Sequence, residues 1–312
     1  MGFLLLLLPA AILAGVLSAV GGDDATGAGE SDDDVQKGGS GDDDLAGDGG
    51  DDLLAGFGGD DVLNGAGGRD LLVGDAGADR LSGGDGVDVL LGGAGNDIVT
   101  GGAADDLLIG GSGDDSLSGD SGDDFLIDTG GENTLSGGGG DDVLVSLTGA
   151  PGSPRDPTGE LRFDAFLTGI EDRFGPQSAS FDRMLERNVR SQREEPGADL
   201  MQGGDGNDTL VGDRGDTMAG GAGEDLFSAF APPVPDDPAD PAFGEVVRVD
   251  DFVPGADRIE VQYVGSGDVT IGVRDVVGGV MVSANSVDVV FVAGVNATQI
   301  RPADVLFNRL IA

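Results

Sequence analysis

The chain has 312 residues, of which 61 are glycine and only 4% are aromatic, so large side chains for a compact core are scarce. Its formal net charge of −43 argues against nucleic acid as a partner, because phosphates require lysine and arginine, and it favours cations. The absence of histidine and cysteine excludes zinc hydrolase sites, Ser-His-Asp and Cys-His triads, thiolate metal sites and disulfides.

The first segment, residues 1–22, is hydrophobic. Phe3 to Val20 are mostly Leu, Ala and Val, and residues 2–22 carry no charged side chain, a length that approaches a membrane span. A positive n-region is lacking, although Leu17-Ser18-Ala19 offers small residues for cleavage. We expect a membrane anchor, with membrane association through residues 2–20, or a signal peptide, and a buried or oligomerising helix is the third alternative. Residues 23–37 are expected to be an acidic linker.

Residues 38–145 form twelve consecutive rows of nine residues, beginning with GGSGDDDLA and GDGGDDLLA, and the register does not slip. Glycine occupies row positions one and four in eleven rows each, and row position eight is Leu in every row except Val99. A flexible acidic linker would not require this phase. Row position six is Asp in eleven of the twelve rows: Asp43, Asp52, Asp61, Asp70, Asp79, Asp88, Asp97, Asp106, Asp115, Asp124, Asn133 and Asp142.

This pattern predicts stacked turns and short strands. Glycine permits positive φ and close approach of neighbouring backbones, so the first six residues of each row can turn. The last three residues, such as Asp44-Leu45-Ala46, are expected to form a strand whose middle side chain points inward. The leucines at row position eight would then fill a narrow core.

The rows match the G-G-x-G-x-D-x-U-x nonapeptide, whose repeats stack as a parallel β-helix. The chain therefore resembles the RTX, or hemolysin-type, calcium-binding repeat family over 108 continuous residues. The resemblance implies a right-handed parallel β-roll in which two rows make one coil and Ca²⁺ lies between rows n and n+2. Asp43 is thereby paired with Asp61, and backbone carbonyls complete an all-oxygen shell.

Charge supports the same interpretation. Residues 38–145 hold 25 acidic side chains against Arg69 and Arg80, a net charge of −23. The arrangement implied by the resemblance gives about ten Ca²⁺ ions in the twelve rows, which would nearly cancel that charge. Binding and folding are therefore expected to be one event.

Three rows depart from the pattern. Asp128 stands at row position one, Ala104 at row position four, and Asn133 at the ligand position. We expect the site shared by Asp115 and Asn133 to be the weakest. Asp128 is not expected to be a ligand, and Asn133→Asp is expected to lower the calcium concentration required for folding.

The insert, residues 146–196, loses the period and carries seven of the sixteen basic residues. A short helix is expected here, beginning after Ser180 and ending before Pro196. It would either pack on the roll or bind a partner. Its apolar positions recur at helical spacing: Phe181, Met184, Leu185 and Val189.

The repeat resumes over residues 197–228, in a second short block that includes one row of eight residues beginning at Gly212. The inward positions become bulkier. The predicted ligands of this block are Asp199, Asp208, Asp216 and Asp225, and the predicted inward residues are Met201, Leu210, Met218 and Phe227.

Residues 229–244 are expected to be a Pro- and Asp-rich linker, and residues 245–312 a β-rich cap. Asp251 to Ile259 resemble the D-F-x-x-G-x-D-x-I segment that often follows RTX rolls. Strands are expected at 269–273, 280–283 and 287–292. The apolar tail from Asp304 to Ala312 would be an export signal read by type I secretion machinery, or the last strand of the cap.

The sequence thus predicts an all-β, exported calcium-binding repeat protein in an extracellular or cell-surface location, with no catalytic module of its own. We expect no catalytic residue and no organic cofactor. Two alternatives remain open: an adhesin or matrix protein that presents the insert, and a carboxylate-dependent enzyme.

Overall fold

The computed structural model describes residues 33–146, 198–231, 246–264 and 269–310, apart from positions 129 and 214. Within these ranges the chain is all β, as predicted, and contains no helix. The strands of the roll are β1 (Val35–Lys37), β2 (Asp44–Ala46), β3 (Leu53–Gly58), β4 (Val62–Gly67), β5 (Leu71–Ala76), β6 (Arg80–Asp85), β7 (Val89–Ala94), β8 (Ile98–Ala103), β9 (Leu107–Ser112), β10 (Ser116–Ser121), β11 (Phe125–Asp128), β12 (Thr134–Gly139), β13 (Val143–Ser146), β14 (Leu200–Asp205), β15 (Thr209–Gly212), β16 (Thr217–Ala222) and β17 (Leu226–Ala231). The strands of the cap are β18 (Val247–Val249), β19 (Arg258–Val264), β20 (Ile271–Val276), β21 (Gly279–Ala284), β22 (Val287–Ala293) and β23 (Val305–Leu310).

Two parallel sheets form the walls of the roll. In one the strand order is β1-β3-β5-β7-β9-β11-β13-β15-β17-β19-β23, and the other begins β2-β4-β6-β8-β10-β12-β14-β16-β18. Consecutive strands therefore alternate between the sheets, and each strand pairs with the strand two rows away. Leu54 is paired with Leu72, for example. The prediction that two rows make one coil is confirmed.

The interior is filled by row position eight. The residue there is at most 2% exposed in every row, including Val99 and the bulkier Met201, Met218 and Phe227 of the second block. Because successive side chains of a strand point to opposite faces, only this middle residue reaches the space between the sheets. The predicted interior ladder is confirmed.

Most strands are longer than predicted. Those from β3 to β10 have six residues each, because the first three residues of the following row continue the ladder. The three-residue prediction is therefore wrong for these rows. The reason is that a residue with positive φ at row position two, such as Ala66 at 75°, is accommodated within the strand. The sharp turn is confined to row positions four to six.

The two blocks of repeats form one continuous roll. β12 pairs with β14 and β13 with β15, so Leu135 lies beside Met201 and Leu144 beside Leu210. The eight-residue row also stacks, with Met218 beside Met201. The roll starts before residue 38, since β1 pairs with β3. The helix predicted within residues 146–196 and the hydrophobic segment 1–22 lie outside the described residues.

The outer faces of the two sheets differ. In the sheet that contains β7, β9, β11 and β13, the residues at row positions seven and nine form a second apolar cluster and are 1–4% exposed. On the other sheet, Val62 and Ile98 at row position seven are 43% and 40% exposed. The second cluster consists of Val89, Leu91, Leu107, Ile109, Phe125, Ile127 and Val145.

The cap continues both sheets. β18 stacks in parallel on β16, and an antiparallel meander of β20, β21 and β22 extends that sheet. The strands predicted near 269–273, 280–283 and 287–292 are confirmed with small shifts in their bounds. The tail from Val305 to Leu310 forms β23 and pairs with β19, so in the folded chain it is the last strand of the cap.

Candidate metal centre

The predicted ligands line the two edges of the roll in columns, one residue per coil. The Oδ1 atom of each accepts the backbone NH of its equivalent in the preceding coil, as in the 2.8 Å bonds from Asp70 NH to Asp88 and from Asp79 NH to Asp97. Rows n and n+2 are therefore brought together as predicted. The first column contains Asp52, Asp70, Asp88, Asp106, Asp124, Asp142, Asp208 and Asp225, and the second contains Asp43, Asp61, Asp79, Asp97, Asp115, Asn133, Asp199 and Asp216.

The second carboxylate oxygen, Oδ2, has no hydrogen-bond donor in the interior of these columns. In the middle coils Oδ2 is buried and accepts no hydrogen bond from the protein. A buried carboxylate oxygen without a donor is costly and calls for a cation or a water molecule beside it. The residues concerned are Asp52, Asp61, Asp70, Asp79, Asp88, Asp97 and Asp106.

A backbone carbonyl oxygen lies close to six of these seven oxygens. The space that a Cβ would occupy on Gly47 lies next to Asp52 Oδ2 and 2.9 Å from the carbonyl oxygen of Gly65, the equivalent glycine of the next coil. Gly83 has the same arrangement with Asp88, and its Cβ position lies 2.8 Å from the carbonyl oxygen of Gly101. Glycine at row position one thus leaves open a cradle in which a carboxylate and a carbonyl oxygen converge. Such a set of hard oxygen donors suits Ca²⁺.

Within the described ranges no three acidic side chains converge on one point. A cation in the cradle would therefore depend on backbone carbonyl oxygens for most of its shell.

At the ends of the columns the same oxygen has a protein donor. Oδ2 of Asp43 accepts the backbone NH of Gly39 at 2.6 Å, and Oδ2 of Asp216 accepts that of Asp213 at 2.8 Å. Asp257, in the segment identified by its resemblance to a post-roll motif, extends the first column, and its Oδ2 accepts the NH of Val253 at 2.7 Å.

Burial shifts the titration of the interior carboxyls. Loss of solvent, with repulsion from Asp88 and Asp52, raises the pKa of Asp70 to about 7, against the lowering effect of the bond from Asp52 NH. Burial and the charges of Asp88, Asp124 and Asp105 raise the pKa of Asp106 to about 8. The ionised column is therefore unfavourable at neutral pH, and a bound cation would favour the ionised form.

A second ladder, at row position five, was not predicted. Oδ1 of Asp42 accepts the backbone NH of Asp60, and Oδ1 of Asp105 accepts that of Asp123, both at 2.9 Å. These side chains are exposed and satisfy turn amides in the opposite direction along the roll. The signal was present, since row position five is acidic in eight of the twelve rows.

In row eleven, the two residues that depart from the repeat, Asp128 and Asn133, are hydrogen-bonded to each other. Asp128 is fully buried, and its Oδ1 accepts the side-chain NH of Asn133 at 2.9 Å and the NH of Gly130 at 3.0 Å. Oδ1 of Asn133 accepts the NH of Asp115 at 2.8 Å, as the aspartates do elsewhere. Burial first, and the charge of Asp115 second, raise the pKa of Asp128 well above its usual value.

Comparison with known proteins agrees with this geometry. The family model described as "RTX calcium-binding nonapeptide repeat (4 copies)" matches residues 37–72, 64–99, 82–117, 91–126, 118–150 and 195–227. No curated protein sequence matches the chain. The described part of the chain contains no helix of the length and apolarity needed to cross a membrane.

Among solved structures, the extracellular lipase LipA from Serratia marcescens matches with 16% sequence identity and a TM-score of 0.22. The match covers 76% of this chain and 44% of the lipase, so this chain spans less than half of the lipase's length. Neither fold nor activity is transferred at that level of similarity. The repeat matches, the two-row coil and the columns of buried aspartates together show that residues 37–150 and 195–227 of this chain are RTX calcium-binding nonapeptide repeats.

Proposed function

We propose that this chain is an exported protein whose β-roll folds when Ca²⁺ binds in the cradles between successive coils, and that it has no catalytic module of its own. The observation that carries this proposal is the run of buried Oδ2 atoms without a donor, most of which face the carbonyl oxygen of a row-position-one glycine. Folding without a cation would bury a column of like charges. Metal binding and folding are therefore one process.

The geometry supports a number of ions close to the charge deficit. Ten glycine positions in the described residues have the next coil's glycine carbonyl within 3.0 Å of the Cβ position. One of the ten, from Gly137 to Gly203, connects the two blocks, and another, from Gly203 to Gly220, lies within the second block. The nine positions that begin within residues 38–145 would hold a charge of +18, which offsets most of the −23 net charge of that segment.

An extracellular or cell-surface location follows from the calcium requirement. Extracellular modules bind Ca²⁺ with dissociation constants of about 10⁻⁴–10⁻³ M, so the roll would stay open in the cytoplasm and close outside. The resemblance to RTX proteins favours type I secretion machinery as the exporter. The tail at residues 300–312 would be read before β23 forms, and residues 2–20 would provide membrane association.

Two truncations separate the roles of the ends. Removal of residues 300–312 should retain the protein inside cells, whereas removal of residues 2–20 should leave it exported but no longer associated with membranes. The reverse pattern would identify Phe3 to Val20 as the export signal instead.

Calorimetric titration of the full chain tests the binding itself. After removal of divalent ions, Ca²⁺ should bind at several sites per chain, and Mg²⁺ should not replace it, because Mg²⁺ demands a stricter octahedral shell. Asp88→Asn should lower the number of bound Ca²⁺ ions by one or two, since Asp88 lies at row position six with a buried Oδ2. Asp60→Asn is the matched control, because Asp60 is exposed at row position five and an amide retains its acceptor. Equal losses in both variants, or no Ca²⁺ bound by the wild type, would overturn the proposal.

A further inference from the structure

We propose that Asp128 is a Ca²⁺ ligand in the cradle of Asp115, and that the next cradle along this column receives no ligand from Asn133. This inference rests on the proposed calcium function and concerns two residues that depart from the repeat. It replaces the expectation from sequence that row eleven is merely a weak point.

The position of the Asp128 carboxylate carries the inference. In a regular coil, the Cβ position of the row-position-one glycine lies close to the carbonyl oxygen of the next such glycine, 2.6 Å for Gly92 and Gly110 and 3.0 Å for Gly101 and Gly119. At Gly110 no carbonyl oxygen is among the three nearest atoms, and Oδ2 of Asp128 lies closest, ahead of Oδ2 of Asp115. The side-chain oxygen therefore stands where other coils present a backbone carbonyl.

An oxygen of Asp115 points into the same space. Oδ2 of Asp115 lies 2.7 Å from the Cβ position of Gly110, is buried with its residue only 3% exposed, and accepts no hydrogen bond. Two carboxylate oxygens thus converge in a cradle that elsewhere holds one. Two facing carboxyls can be accommodated by a shared proton or by a cation between them. When Ca²⁺ is the occupant, the additional negative ligand increases its affinity over that of the neighbouring cradles.

Asn133 shows the complementary change. Its Oδ1 is occupied by the NH of Asp115, which fixes the amide orientation, so its nitrogen takes the place of the aspartate Oδ2. That nitrogen donates to Oδ1 of Asp128 at 2.9 Å. An NH₂ group cannot coordinate a cation. The negative charge absent from Asn133 has therefore been moved to Asp128, and row eleven keeps the charge of a regular row while its ligand serves the preceding cradle.

A mutant cycle in the full chain tests this exchange. Asp128→Asn is nearly isosteric and keeps an acceptor for Asn133, so it removes the charge together with the long 3.3 Å bond that Oδ2 accepts from the backbone NH of Gly111. It should raise the calcium midpoint of folding about ten-fold and remove one tight site from the calorimetric count. Asp128→Gly should raise the midpoint in the natural background. In the Asn133→Asp background the same change should lower the midpoint, because it restores a regular row and removes two facing carboxylates.

The outcomes separate this inference from the proposed function. If the wild type binds no Ca²⁺, the proposed function itself fails. If the wild type binds Ca²⁺ but Asp128→Asn retains the full site count and midpoint, only the role of Asp128 is overturned. Equal effects of Asp128→Gly in the natural and the Asn133→Asp backgrounds would also overturn it, since independent positions would give additive changes.

Discussion

The close approach of successive coils makes a quantitative prediction for glycine at row position four. Gly68 has a φ of +141°, and a Cβ placed on it would lie 3.3 Å from the backbone nitrogen of Asp51 and closer still to the carbonyl group of Gly50 in the preceding coil. Gly41 occupies the same row position in the first row, but a Cβ on it would meet nothing within 4 Å. The substitutions Gly68→Ala and Gly41→Ala are therefore a matched pair.

The magnitude follows from strain and from overpacking. An L-residue held in this region of φ costs about 1–3 kcal/mol, and inserting a methyl group into a close backbone contact costs about another 1–3 kcal/mol. The natural Ala104 shows how the roll adapts, because its φ is +82°, whereas the glycine at the same position of the next coil, Gly122, has +138°. Gly68→Ala should thus lower the free energy of unfolding by about 2–5 kcal/mol, and Gly41→Ala by less than about 0.5 kcal/mol.

Thermal unfolding in saturating Ca²⁺, followed by far-ultraviolet circular dichroism, measures this difference. The midpoint of Gly68→Ala should fall by about 5–15 °C, since 1 kcal/mol corresponds to about 2–4 °C in a chain of this size. The midpoint of Gly41→Ala should match that of the wild type. Equal midpoints for the two variants would refute the stacking of row-position-four glycines.

Three further predictions concern the carboxyl columns, the core and row eight. In chelator, protonation of the buried carboxyls should substitute in part for calcium. The pKa of Asp106 is about 8 in the folded chain against 3.8 for an exposed carboxyl, so the folded state binds more protons than the unfolded state between about pH 4 and 8. The free energy of unfolding should therefore fall as the pH rises through that window, by about 1.4 kcal/mol per pH unit for each extra proton. A fluorimetric or dichroic pH titration that shows stability rising over that window would contradict the sign. Leu90→Ala should destabilise the calcium-bound chain by about 2–5 kcal/mol because Leu90 is fully buried, whereas Ile98→Ala, at a 40% exposed position, should cost less than about 1 kcal/mol in chemical unfolding. Ala104→Gly should raise the thermal midpoint, because it relieves about 1–2 kcal/mol of positive-φ strain, and a lower midpoint would mean that the Ala104 side chain contributes packing.

Much of the fold could be predicted because the nine-residue pattern recurs many times and each row adopts the same local geometry. The period of nine predicts both the interior leucines and the column of aspartates, and the two-row coil places Asp43 beside Asp61, whose Oδ1 accepts the backbone NH of Asp43 at 2.8 Å. The continuity of the roll across residues 147–197 could not be derived from that period. It depends on β13 and β15 pairing over 66 residues of sequence, as in the bond from Asp142 NH to Asp208.

Other features were missed because they depend on contacts between coils. The outer apolar cluster follows a period of eighteen residues, so Phe125 and Ile127 are buried while Ser116 and Ser118 at the same row positions of the other sheet are not. The burial of Asp128 and its bond with Asn133 were missed because a side chain at a glycine position was treated as a defect. Only the relation of its carboxylate to Asp115 and Asn133 shows that the two departures of row eleven compensate each other.

The most direct test of calcium-driven folding is a far-ultraviolet circular dichroism titration of the full chain, starting in chelator and ending at millimolar Ca²⁺. The chelated chain should give the spectrum of a largely unfolded polypeptide, because its interior columns bury carboxylate oxygens that have no donor. The β signal should appear cooperatively as Ca²⁺ is added and disappear when chelator is restored. A full β spectrum in chelator at neutral pH, unchanged by Ca²⁺, would contradict the account.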